Sequence, residues 1–128
     1  MVTQIRRYLL ACVIVWVIDI PWVTFVMSKL YSDLQLRSGV VVYSAILAWL
    51  LIPLGLVVFV DKISKNYSQS IVYGAVYGLV LYGVYEFTNH AVLAGWTLKL
   101  VTVDVLWGTF LCSLSAFILK FSEKRLKL

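Results

Sequence analysis

A chain of 128 residues with 62% hydrophobic and 13% charged residues lies well away from soluble domains, which run nearer half apolar and a quarter charged. Its mean hydropathy of +0.96 excludes disorder, a secreted disulfide scaffold and a water-soluble enzyme core. The net charge of +5 does not amount to a nucleic-acid surface, because the bases are scattered between apolar runs rather than gathered on one face.

The length admits a single domain over residues 1–128, and the apolar content suffices for four crossings of ~20 residues each. The first crossing is expected over 8–27. Arg6 and Arg7 ahead of it imitate the basic flank of a secretory signal, but no small-x-small cleavage site follows. It therefore reads as an uncleaved helix. The second is expected over 39–60, the third over 70–91 and the fourth over 98–119, separated by polar connectors at 28–38, 61–69 and 94–99. These runs are apolar all round, which argues against amphipathic soluble helices. Pro21 and Pro53 fall inside crossings and predict kinks there. Cys12 and Cys112 sit within apolar runs and read as small buried fillers.

The distribution of bases orients the bundle. With the N-terminus inside, the inner segments hold eight bases (Arg6, Arg7, Lys62, Lys65, Lys120, Lys124, Arg125, Lys127) and the outer ones three (Lys29, Arg37, Lys99). The expected fold is an all-α, polytopic membrane protein: a four-transmembrane-helix bundle with both termini on the cytoplasmic side. All eleven bases fall at helix ends or in connectors, with Asp33, Asp61 and Glu123, which predicts a water-facing balance of 11 − 3 = +8.

The other three acids, Asp19, Glu86 and Asp104, lie inside expected crossings. Each such residue costs ~2.5–3.5 kcal/mol at mid-helix and needs a partner, a wet cavity or a proton. At ~1.5 Å per residue, Asp19 lies ~13 Å from the outer end of its helix and the other two ~8 Å from theirs. All three therefore occupy the outer half and can meet. Their surroundings point the same way. Gly78, Tyr82, Glu86, Asn89 and Leu93 share one helical face, flanked by Tyr85 and His90. Asp104, Gly108, Cys112 and Ser115 share another, with Trp107 beside Asp104, and the first helix offers Cys12, Trp16, Asp19 and Trp22. Gly74 and Gly78 form a small-xxx-small pair that lets a second helix approach closely, and Gly108 is a third packing glycine. Asp19-x-x-Trp22 and Asp104-x-x-Trp107 repeat one pattern, which places an indole N–H donor near each carboxylate, within the helix or across to a neighbour.

Asp19-x-x-Trp22, then Tyr82-x-x-Tyr85-Glu86-Phe87-Thr88-Asn89-x-Ala91-x-Leu93-x-x-Trp96, then Asp104-x-x-Trp107-Gly108 together resemble the membrane family catalogued as domain of unknown function 2177. The resemblance covers almost the whole chain and implies a small four-helix integral membrane protein. It departs at Glu86, where the family more often has Asp, and at Thr97, where Pro commonly follows the tryptophan. The first departure keeps the acid and the second concerns the turn before the fourth helix. The resemblance implies no activity.

The residues support three functional readings. In the first, Asp19, Trp22, Tyr82, Tyr85, Glu86, Asn89, His90, Asp104 and Trp107 bind or transport a small molecule or ion, coupled to protons. Close carboxyls in low dielectric cannot all ionise, so at least one keeps its proton. In the second, the same acids clamp helices in a structural or assembly subunit of a larger membrane complex. In the third, an acid near the outer headgroups serves a lipid-acting enzyme. Nothing supplies a nucleophile, so the balance leans away from an enzyme. No P-loop, Gly-x-Gly-x-x-Gly, His-Glu-x-x-His or Gly-x-Ser-x-Gly is present. A single histidine excludes a multi-histidine metal site, so no metal and no cofactor is expected. His90 reads either as a pH-sensitive neighbour of Glu86 or as a plain interfacial histidine, and Trp96 and Lys99 as interface anchors. Tyr73, Tyr77, Tyr82 and Tyr85 line a polar pocket or simply pack. The basic tail from Lys120 to Lys127 supplies orientation charge and attraction to anionic lipid. The expected partners are the lipid bilayer and either a second copy in a homodimer or subunits of a membrane complex, with no nucleic acid. The membrane itself (bacterial inner, organellar or viral) is left open.

Overall fold

The computed structural model describes residues 2–32, 34, 39 and 41–126. Asp33, together with Arg37 and Lys127 of the charge tally, lies outside the described residues. Helix α1 (Val2–Trp22) continues through a π-helical segment (Val23–Met27) into one last turn, α2 (Ser28–Leu30). Helix α3 (Val42–Gly55) likewise passes into a π-helical segment (Leu56–Asp61). Helices α4 (Tyr67–Val92) and α5 (Leu98–Leu126) complete the chain, and no strand occurs among the described residues.

Four helical stretches are long and apolar enough to cross a membrane: Thr3–Leu30, Val42–Asp61, Tyr67–Val92 and Leu98–Leu126. The first, third and fourth outrun their expected 8–27, 70–91 and 98–119, because the backbone stays helical through polar ends that an apolar count leaves out. The second begins at Val42, past Gly39, whose lack of a side chain makes it a poor helix former. Only 17–39% of the most apolar stretch of each span is buried against its neighbours. The remaining apolar surface far exceeds what a soluble monomer exposes.

The prolines reorganise their helices in a way that ties the bundle together. Pro53 has no N–H, so the Trp49 carbonyl loses its usual donor. The Trp16 indole N–H fills that place at 3.0 Å. Beside it, the Tyr8 hydroxyl donates to the Leu50 carbonyl at 3.1 Å and the Tyr77 hydroxyl to the Ile52 carbonyl at 3.3 Å. Both proline-bearing helices turn π-helical within three residues of the ring, a local adjustment that apolar surroundings favour over bare carbonyls.

Helix starts are capped in sequence-readable fashion. Asn66 Oδ1 accepts from the Gln69 N–H at 2.9 Å, while Gln69 Oε1 accepts from the Lys65 N–H at 2.8 Å. Thr97 Oγ1 accepts from the Leu100 N–H at 3.2 Å and opens α5.

The interior is stacked in three layers. Ala11, Ile14, Val57 and Leu119 pack towards the end that carries the termini. Val15, Leu56, Val60, Leu111, Cys112 and Ala116 fill the middle, and Met27, Trp96, Leu100 and Val101 close the far end. Both cysteines are free and buried. The most extensive interface joins α4 to α5. Gly74 and Gly78 make it: a Cβ at Gly74 would lie 2.6 Å from the Cys112 carbonyl oxygen, and one at Gly78 would collide with the backbone of Gly108. α3 packs on α1 instead, which leaves a cleft between α3 and α4 at the level of Tyr77 to Tyr85.

Candidate functional site

Three acids are buried in the half of the bundle away from the termini: Asp19 and Asp104 are 3% and 6% exposed, and Glu86 is fully buried. A buried carboxylate needs donors, and here tryptophans supply them. Asp19 Oδ1 accepts from the Trp107 indole and Oδ2 from the Trp49 indole, both at 2.9 Å. Asp104 Oδ1 accepts from the Trp22 indole at 3.3 Å. Glu86 Oε2 accepts from the Trp96 indole at 2.7 Å. With Trp16 on its backbone carbonyl, all five indole N–H groups of the chain are engaged.

The two Asp-x-x-Trp patterns thus pair across the bundle rather than within a helix. The α1 tryptophan serves the α5 aspartate and the α5 tryptophan serves the α1 aspartate. Between the two bonds the rings of Trp22 and Trp107 stack in parallel, centroids 4.2 Å apart and planes 4° from coplanar. Glu86 keeps a second, fully enclosed oxygen, Oε1, that meets no N–H or hydroxyl donor among the described residues. The Asp104 carboxyl lies within hydrogen-bonding reach of Glu86. No Lys or Arg forms a salt bridge with any of the three acids among the described residues.

The tyrosines extend the cluster. Tyr82 lies across Gly108, where a Cβ would collide with its ring, so this glycine lets the phenol cross α5 towards Asp19 and Asp104. The Tyr85 hydroxyl is within hydrogen-bonding reach of Asn89, one turn further along α4, and of Tyr31. His90 is exposed, and its Nδ1 stands 2.6 Å from the Trp96 carbonyl oxygen. An oxygen of that kind only accepts, so Nδ1 carries the hydrogen. The histidine therefore pins the loop between α4 and α5, which turns at Gly95 with φ of 88°.

A cavity of 420 Å³ opens beside these groups in the cleft between α3 and α4. Asp19 and Asp104 border it, with Trp49, Tyr77, Tyr82 and Tyr85, and its remaining walls are aliphatic side chains such as Leu51, Ile52 and Leu81. Leu51 and Tyr85 stand at its exposed side, 61% and 52% accessible. Its size falls within the usual range of small-molecule sites.

Two sequence-based expectations change. Trp96 is not an interface anchor: it is 7% exposed and spends its N–H on Glu86. Asp61 and Glu123 also do not face water, since they are 7% and 6% exposed, although the expected sum of +8 is unchanged because two bases are drawn in with them. They form a closed network with two bases at the end that carries the termini. Arg7 reaches Asp61 at 3.3 Å and Glu123 at 2.8 Å, while Lys120 reaches them at 2.9 and 3.5 Å. Two charges of each sign cancel, which is what permits their withdrawal from water. Trp49 and Tyr31 were not singled out by sequence reasoning.

These features define a class: a four-helix bundle of membrane-spanning proportions whose buried acids are held by tryptophan N–H groups. The chain belongs to the family described as Predicted membrane protein (DUF2177), which it matches over residues 4–120. Comparison with curated proteins and with solved structures finds no match.

Proposed function

We propose that this protein sits in a bilayer with both termini on the cytoplasmic side and binds or transports a small molecule through the cavity between α3 and α4, in exchange for a proton. The observation that carries this reading is the 420 Å³ cavity bordered by Asp19 and Asp104, two buried acids with no salt-bridge partner among the described residues. Neighbouring carboxyls in an enclosed, apolar setting repel when both are charged, which favours the exchange of a proton for a positively charged ligand. A ligand that brings its own charge replaces that proton. The orientation rests on the excess of bases at the end with the termini and in the connector from Asp61 to Gln69.

In proteoliposomes, Glu86→Gln and Asp104→Asn are expected to abolish pH-dependent binding or flux. Variants that behave like the wild type overturn the proposal. A membrane-impermeant thiol reagent directed at cysteines placed at Lys65 and Lys99 tests the orientation, with Lys99 expected to react from outside the cell.

A second reading has its own support. The indole bonds to Asp19, Glu86 and Asp104 are also what helix clamps in a structural or assembly subunit require. It expects co-purifying partners after mild detergent extraction and loss of folding on mutation of Asp19 or Asp104. A chain that purifies alone and stays monodisperse opposes it.

A further inference from the structure

We propose that the ligand of this cavity is a lipophilic organic cation that enters from the bilayer between α3 and α4, an inference that rests on the binding function proposed above. Three observations converge on this ligand class. The site is rich in carboxyls and has no salt bridge to a base among the described residues, whereas the four ion pairs given there gather at the opposite end of the bundle. Fully buried Glu86 retains an oxygen without a donor next to Asp104, which borders the cavity. Excess negative potential in an enclosed place calls for a positive occupant.

The walls decide what kind of cation. Trp49, Tyr77, Tyr82 and Tyr85 put four aromatic side chains around the same space as Asp19 and Asp104. Aromatic faces with a nearby carboxylate are the recognition chemistry of diffuse ammonium and pyridinium groups. A hard metal ion asks instead for several oxygens converging at short range. Here the acids are turned towards indole N–H donors, and no group of three His, Cys, Asp or Glu among the described residues is placed to hold a metal. The apolar remainder of the walls suits the body of an organic ligand.

The route of entry follows from exposure. The open side of the cavity lies at Leu51, Tyr85 and Leu81, two aliphatic side chains and one phenol on the outer surfaces of α3 and α4. In a membrane that surface meets lipid tails, so the occupant must partition into the bilayer before it binds.

The test uses the full chain in nanodiscs and the fluorescent cation 4-(4-dimethylaminostyryl)-N-methylpyridinium, with neutral 4-dimethylaminostilbene as a probe of nearly the same shape. The cation is expected to bind saturably and about tenfold more tightly than the neutral probe. Asp19→Asn and Asp104→Asn should each weaken it by about tenfold. Leu51→Trp narrows the entrance without touching a carboxyl and should weaken it as well, in samples that elute monodisperse with unchanged helicity. Equal binding of the two probes, or folded aspartate variants with wild-type affinity, overturns the inference. An infrared carboxyl band recorded on the same samples separates the two levels of the proposal. A band that disappears in Glu86→Gln but does not respond to the cation keeps the proton site and rejects the organic cation. Absence of both band and cation binding rejects both.

Discussion

Trp22 and Trp107 lie face to face, 4.2 Å apart, and each donates its indole N–H to the aspartate of the other's helix. The stack and the two crossed bonds fix the register of α1 against α5, because sliding either helix breaks all three contacts together. A stacked aromatic pair adds about 0.5–1.5 kcal/mol beyond its burial. The bonds make that contribution specific to one alignment.

Trp107→Phe keeps most of the stack and removes one donor from Asp19. The expected loss is about 1–2 kcal/mol of stability, measured by unfolding in mixed micelles. Asp19→Asn in the same background should cost less than it does alone, since the two changes strike one bond. Strict additivity would show that the bond carries no energy of its own.

Gly108→Ala forces a methyl group into the ring of Tyr82. Overpacking of this kind costs about 1–3 kcal/mol and should push the phenol out of the cavity wall. Gly83 has nothing within 4 Å of a notional Cβ. Gly83→Ala is therefore expected to be neutral or to stabilise by up to about 1 kcal/mol. Equal destabilisation by the two changes would remove the special role assigned to Gly108.

The network of Arg7, Asp61, Lys120 and Glu123 is balanced, so its response to substitution depends on what is left behind. Lys120→Met leaves Arg7 alone against two buried carboxylates and should cost on the order of 2 kcal/mol. Adding Asp61→Asn restores the balance of one base against one acid and should recover part of that loss. Thermal unfolding of the two variants beside the wild type decides the matter.

Trp16→Phe leaves the Trp49 carbonyl bare only because Pro53 offers no N–H. The expected cost is about 1 kcal/mol with Pro53 present. With Pro53→Ala the carbonyl regains its helical donor, and the same tryptophan change should matter less. An undiminished effect would mean that Trp16 acts by packing alone.

Four helices could be read from the sequence because membrane-length apolar runs are a strong signal, and Asp19, Glu86 and Asp104 stood out as acids inside them. The face shared by Tyr82, Glu86 and Asn89 followed from a period of 3.6 residues. What did not follow was partnership. The pattern Asp-x-x-Trp is equally compatible with a bond inside the helix and one across the bundle, and only packing selects between them. Trp49 was passed over because it stands among apolar neighbours, with no polar residue at helical spacing to mark its face. Asp61 and Glu123 read as solvent-facing because they adjoin connectors. Lys120 lies three residues before Glu123, but their burial also needs Arg7 from α1 and the meeting of Asp61 with α5, which no local window contains.

The crossed indole bonds also impose an order on biogenesis. Trp107 lies 88 residues after Asp19, and Asp104 lies 82 after Trp22. Asp19 and Trp22 are therefore synthesised early; Asp19 meets one indole, Trp49, 30 residues later, but Trp107 and Asp104 arrive only with α5. Until α5 docks, Asp19 has one of its two indole donors and Trp22 has no carboxylate, and a half-satisfied acid is costly in apolar surroundings. Docking of α5 is thus the step that completes both crossed bonds at once.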